Sequence, residues 1–199
     1  MTKTQSAFGL QLDSLADVLS FGAAPALLIY HWSLDRYGMT GLVACFVYVG
    51  CGAIRLARFN VLAMDPNGAP LAPPKYIVGL PIPGAAGILV SIIVANNAAQ
   101  AAIGERSKLI FAVMLFLAAL MVSNVRFRSF KEIKLNARTI LIATAVISSS
   151  ILISTKYKPA FVLIWLLGCY IATGLLEWLW QFPKRFMPKP SSDNSEAPE

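Results

Sequence analysis

Apolar residues dominate six long stretches of the chain, roughly 17–32, 41–63, 77–97, 109–125, 139–155 and 160–180, with short polar segments between them. A helix that crosses a bilayer needs about 20 mostly apolar residues, and each stretch reaches or nearly reaches that length. The first does so only when its helix starts near Ala7, which carries Asp13 and Asp17 inside the membrane boundary. The punctuation agrees. There is a turn at 35–40, then four prolines and an Asn67-Gly68 pair within 65–74. A polar segment follows at 96–108, a basic one at 126–138 and a tight connection at 156–159. The expected fold is all-α, a polytopic transmembrane helix bundle with about six spans in this chain. Residues 1–186 read as one membrane-embedded domain, and 187–199, rich in Pro, Ser and acid, as a disordered cytoplasmic tail. No internal repeat is evident. The residues before Ala7 lack the basic-then-apolar order of a cleavable signal peptide.

Composition removes the competing classes. The 199 residues are 57% hydrophobic and only 14% charged, whereas a soluble domain is about 45–50% apolar and about 25% charged. A core of this size cannot bury so much apolar side chain, so lipid has to be the solvent for much of it. A soluble enzyme, a disulfide-built secreted scaffold and a disordered protein are all disfavoured. The net charge of +7 reads as positive loops facing anionic lipid, with no nucleic acid as partner. Cys45, Cys51 and Cys169 lie in apolar runs, without metal-ligand spacing to the single His31. With six spans, twelve Lys and Arg fall on the side of the N-terminus and the 126–138 segment, and five on the other. That asymmetry puts the N-terminus and the basic segment in the cytoplasm.

Charges inside the spans are the candidates for chemistry, because one near the bilayer centre costs about 2.5–3.5 kcal/mol on the insertion scale. Gly9, Asp13 and Asp17 recur every four residues and so form one helical stripe, with about 6 Å of rise per step. Two carboxylates one turn apart repel, and a shared proton or a bound cation relieves them. An oxygen-only pair suits a hard ion such as Mg2+ or Mn2+. A second cluster, Arg55 and Arg58 with Asn60 just beyond, occupies the end of the second span. Two guanidiniums spaced i, i+3 share a face and can clamp a phosphate or carboxylate; snorkelling to the interface is the competing reading. A third, the basic-aromatic run from Asn124 to Lys131, suits contact with anionic lipid.

The stripe also sits in a longer text. Gly9-x-x-x-Asp13-x-x-x-Asp17 is similar to the second half of the CDP-alcohol phosphotransferase signature, D-x-x-D-G-x-x-A-R-x8-G-x-x-x-D-x-x-x-D. The blocks FGLQLDSLADVLSFGAAPA, GAIRLARFN, GLPIPGAAG and MVSNVRFRSFKE follow in order between residues 8 and 132. They resemble the CDP-alcohol phosphatidyltransferases, and within them the bacterial CDP-diacylglycerol–serine branch. Counted back from Gly9, the first half of the signature would end one residue before Met1. The chain is therefore expected to lack that half, with the first two helices of a parent of about eight spans. Its site alone is expected to be incomplete.

The resemblance implies that the serine hydroxyl attacks the phosphorus of CDP-diacylglycerol nearer the diacylglycerol, giving phosphatidylserine and CMP. It implies Asp17 as general base and metal neighbour, Asp13 as metal ligand, Gly9 on the nucleotide, and Mg2+ or Mn2+ as cofactor. Arg55, Arg58 and Asn60 are assigned by charge and position to the lipid phosphate or the serine carboxylate. CDP-diacylglycerol, L-serine and membrane lipid are the expected partners, with room for a homodimer. The expected place is the bacterial inner membrane, with the site facing the cytoplasm. A related enzyme using glycerol phosphate or inositol stays open, as does, more remotely, a transporter with these charges along its pathway.

Overall fold

The computed structural model describes residues 7–63, 76–99, 107–128, 137–156 and 160–181. The segments 65–74 and 187–199 lie outside these residues, as do most of 126–138 and the connection at 157–159. The architecture is an all-α bundle with one short antiparallel strand pair. Two helical stretches, Phe8–Tyr37 and Met39–Leu62, are long and apolar enough to cross a membrane. Shorter apolar ones follow at Ile82–Ala98, Lys108–Val122, Thr144–Thr155 and Phe161–Gly174. Phe46, Phe8 and Val61 are among many large apolar side chains left at the surface, as expected where lipid is the surrounding solvent. The chain is a membrane protein.

The first rod changes its winding along its length. It is α-helical over Ala7–Asp17 (α1), π-helical over Val18–Ala23, and α-helical again over Ala24–Ile29 (α2). A second π segment, Tyr30–Leu34, and a 3-10 turn, Asp35–Tyr37, complete it. Pro25 explains the first change: it has no N–H, and its ring crowds the turn before it. The widened turn accommodates the ring, with Ala24 N–H reaching back to the Leu19 carbonyl. Gly38, at φ +51°, then reverses the chain into α3, Met39–Ala63. At Gly41 the Leu34 carbonyl comes so close that no Cβ would fit.

Helix α3 runs back along the first rod, joined by polar contacts at three levels. Cys45 Sγ donates to the Ala26 carbonyl at 3.4 Å, and Tyr48 Oη to the Phe21 carbonyl at 3.3 Å. At the far end Asn60 Nδ2 donates to Ser14 Oγ at 2.8 Å. Burying these polar atoms unpaired would cost about 1–3 kcal/mol each, so the contacts fix the register of the two helices. Helix α5, Ser107–Val122, packs along α3, and fully buried Tyr48, Ile82, Met114, Leu117 and Met121 belong to the core between them. Helix α4, Ile82–Ala99, packs on α7, Ala160–Gln181. Helix α6, Ala137–Lys156, leans on α7, where Trp165 Nε1 donates to Ser149 Oγ at 3.0 Å.

One expected element is corrected. Residues 77–81 do not open the third span as helix. Tyr76–Val78 (β1) pairs antiparallel with Arg126–Arg128 (β2), and α4 begins only at Ile82. Pro81 and Pro83 account for the shift, since the residue before a proline is pushed out of the α region and proline itself is welcome in a helix's first turn. The freed backbone groups find partners across the bundle: Gly79 N–H bonds the Val125 carbonyl at 2.8 Å and Leu80 N–H the Leu120 carbonyl at 3.1 Å.

Candidate active site

Asp13 and Asp17 project from α1 one turn apart, Asp13 exposed and Asp17 half-buried. Ser14 lies between them in sequence. Its hydroxyl donates to the Leu10 carbonyl at 3.1 Å and accepts the Asn60 amide from α3. That bond ties the carboxylate-bearing turn to the second span. Asp17 is the last residue before the winding switches to π, a departure from α geometry that often accompanies functional positions.

Arg55 stands on the inner side of α3 and is only 8% exposed. Its guanidinium carbon lies 5.5 Å from the centre of the Phe59 ring, a favourable cation–π distance. Asp17 and Tyr170 of α7 lie within electrostatic range of it, and the Asn60–Ser14 and Tyr48–Phe21 bonds set Asp17 at its level. Its Nε has no hydrogen-bond partner among the described residues. A buried cation costs several kcal/mol unless it is paired, and one with a donor left over is suited to an anionic ligand beside Asp17.

Arg58 is placed differently. It is exposed, and its Nη2 donates to Asn124 Oδ1, at the end of α5, at 2.9 Å. The expectation of two guanidiniums on one shared face thus resolves into two stations, one buried at the level of Asp17 and one at the surface by Asn124. Asn60, buried, uses its amide N–H on Ser14. Gly9 lies exposed on α1, one turn before Asp13.

No group of three His, Cys, Asp or Glu suited to a metal occurs among the described residues. The two carboxylates still fit a hard divalent cation as part of its shell. Mg2+ is commonly held by one or two carboxylates, with water and substrate phosphate completing six oxygens.

Asp17, Arg55, Ser14 and Asn60 are thus drawn together from two helices that sequence patterning already placed. Tyr170 and Phe59 were not singled out as site residues. Tyr170 sits in a run of apolar residues and comes near Arg55 only through the packing of α7. Phe59, by contrast, lies between Arg58 and Asn60, four residues from Arg55 on the same helix, a spacing already present in the sequence. Only the uncommon polar group of a tyrosine within an apolar span hinted at Tyr170.

A family model for CDP-alcohol phosphatidyltransferase matches residues 1–125. The chain is similar to a CDP-diacylglycerol–serine O-phosphatidyltransferase of Helicobacter pylori, 33% identical over 96% of this chain and 76% of that protein. A Bacillus subtilis protein of the same name is 33% identical over 64% of this chain and 62% of its own length. An archaetidylserine synthase of Methanothermobacter thermautotrophicus is 38% identical over 60% of this chain and 45% of its own. With the carboxylate stripe, the arginine stations and a family model spanning both, the chain belongs to the CDP-alcohol phosphatidyltransferase family.

Proposed function

We propose that the protein transfers the phosphatidyl group of CDP-diacylglycerol to the hydroxyl of L-serine, releasing CMP, as a step of phospholipid biosynthesis. The observation that carries this is the register of α3 against the first rod. The Asn60–Ser14 and Tyr48–Phe21 bonds bring half-buried Asp17 level with buried Arg55, whose Nε has no hydrogen-bond partner among the described residues. A carboxylate able to take a hydroxyl proton and a cation able to hold an amino acid's carboxylate thus share one level of the bundle. Serine is also the acceptor common to the names of these relatives, whereas the lipid part of the names differs.

In the proposed reaction the serine O–H proton passes to Asp17, and the oxygen forms a bond to the phosphorus nearer the diacylglycerol. The bond from that phosphorus to the bridging oxygen breaks, and its electrons leave with CMP. Arg55 Nε and its fork hold the serine carboxylate, which sets the hydroxyl towards Asp17. Arg58, at the surface, contacts a phosphate of the lipid substrate. Asp13 and Asp17 are the proposed ligands of Mg2+ or Mn2+, which when bound neutralises pyrophosphate charge. Gly9 leaves the backbone open to the nucleotide. Asn60 keeps the carboxylate turn in register through Ser14, with its side-chain oxygen the proposed contact to substrate. The proposed setting is the cytoplasmic face of the bacterial inner membrane, where serine arrives from water and the diacyl chains from lipid.

The test is release of CMP from CDP-diacylglycerol by membranes carrying the protein. Release is expected only with serine and with Mg2+ or Mn2+. Equal release with glycerol phosphate overturns the serine assignment, and undiminished release in excess chelator overturns the metal.

A further inference from the structure

Arg58 is exposed yet tethered, and what tethers it is unusually well braced. Asn124, which accepts its Nη2–H at 2.9 Å, sits in the corner between α5 and β2. Ser123 on one side bonds the end of α5 twice, N–H to the Ala119 carbonyl at 2.9 Å and Oγ to the Leu120 carbonyl at 2.7 Å. Val125 on the other side gives its N–H to Ser123 Oγ at 3.4 Å and its carbonyl to Gly79 N–H at 2.8 Å. Gly79 adopts φ +80°, and the Met121 carbonyl occupies the space a Cβ would need. A corner bonded on both flanks holds the Asn124 side chain at a set place relative to α3.

We infer that Asn124 is a positioning residue: its carboxamide oxygen holds the Arg58 guanidinium so that the remaining N–H edge faces a phosphate of the lipid substrate. This rests on the assignment of Arg58 to that phosphate. A guanidinium carries five N–H donors in a planar fork. One is given to Asn124, which leaves enough for a bidentate grip on phosphate oxygens. An amide is also the right chemistry for the holder. It accepts a hydrogen bond without cancelling charge, whereas a carboxylate there would pair with Arg58 and compete with the phosphate.

The experiment compares the parent with Asn124→Ala, Asn124→Asp, Arg58→Ala and the Arg58→Ala/Asn124→Ala double variant in membranes. KM for CDP-diacylglycerol, KM for serine and kcat are measured separately. Asn124→Ala should raise the lipid KM about two- to tenfold, the net worth of one solvent-accessible hydrogen bond, with a smaller effect on kcat and serine KM. Asn124→Asp, nearly isosteric, should raise it further. The double variant should be no worse than Arg58→Ala alone. If Arg58→Ala raises the lipid KM but Asn124→Ala and Asn124→Asp do not, the inference fails while the assignment of Arg58 stands. Additive losses in the double variant, or equal losses in all three parameters, also overturn it. A normal lipid KM in Arg58→Ala removes the assignment of Arg58, and the inference with it. Should Asn124→Ala not accumulate, Asn124→Asp decides on the lipid-to-serine KM split.

Discussion

Among the described charged residues, Asp17 and Arg55 stand out as half-buried and buried, at one level of two packed helices. Asp17→Asn keeps the shape and removes both charge and basicity. Turnover should fall by about 10²–10⁴-fold, the usual contribution of acid–base catalysis, and CMP release per minute is the measurement. A near-parental rate would take Asp17 out of the mechanism. Arg55→Lys keeps the charge but replaces a fork by a point. Serine KM is expected to rise by about tenfold or more, the scale of a hydrogen bond to a charged group, and the lipid KM much less. The opposite split, lipid KM rising and serine KM holding, would exchange the roles of the two arginines. The carboxylates and arginines were legible because charge in an apolar run is costly and hence conspicuous. Ser14 and Tyr170 carry no charge, and what each does depends on a residue brought near only by helix packing, whereas Phe59 meets Arg55 through i, i+4 spacing on α3 itself.

At the scale of elements, hydropathy alone located six helical stretches to within a few residues at most ends, because lipid rewards continuous apolar length irrespective of tertiary partners. It could not locate the strand pair. Tyr76–Val78 is as apolar as the helix that follows, and what ends the helix there is the proline pair and the carbonyls that α5 offers to Gly79 and Leu80. The first π segment, Val18–Ala23, was equally invisible, since it follows from how Pro25 is accommodated rather than from polarity. Two glycines test the account of this corner. Gly79→Ala meets both a positive φ and the Met121 carbonyl, and it should cost at least about 1–2 kcal/mol. Gly50→Ala, in α3 with nothing within 4 Å of the added carbon, should be neutral or slightly stabilising. Thermal unfolding in detergent separates them, and equal midpoints for the two variants would mean that the corner is not tightly held.

For the whole molecule the open question is which face of the membrane carries the site. Asn60 with Ser14, Arg58 with Asn124, and the strand pair all gather at one end of the bundle, the end where α3 and α5 finish and α4 begins. The sequence places twelve Lys and Arg on that side against five on the other, which favours the cytoplasm because basic flanks are retained there during insertion. The proposed chemistry needs the same answer, since a polar amino acid must reach Arg55 from the aqueous side where it is made. A direct measurement uses a background in which Cys45, Cys51 and Cys169 are replaced by alanine, with single cysteines then introduced at Asn124 or Thr40. These positions are exposed and lie at opposite ends of the bundle. A membrane-impermeant maleimide should label the Asn124→Cys protein only in inverted vesicles and the Thr40→Cys protein only in intact spheroplasts. The reverse pattern would put the site on the outer face, and serine delivery from the cytoplasm would then have no route to Asp17.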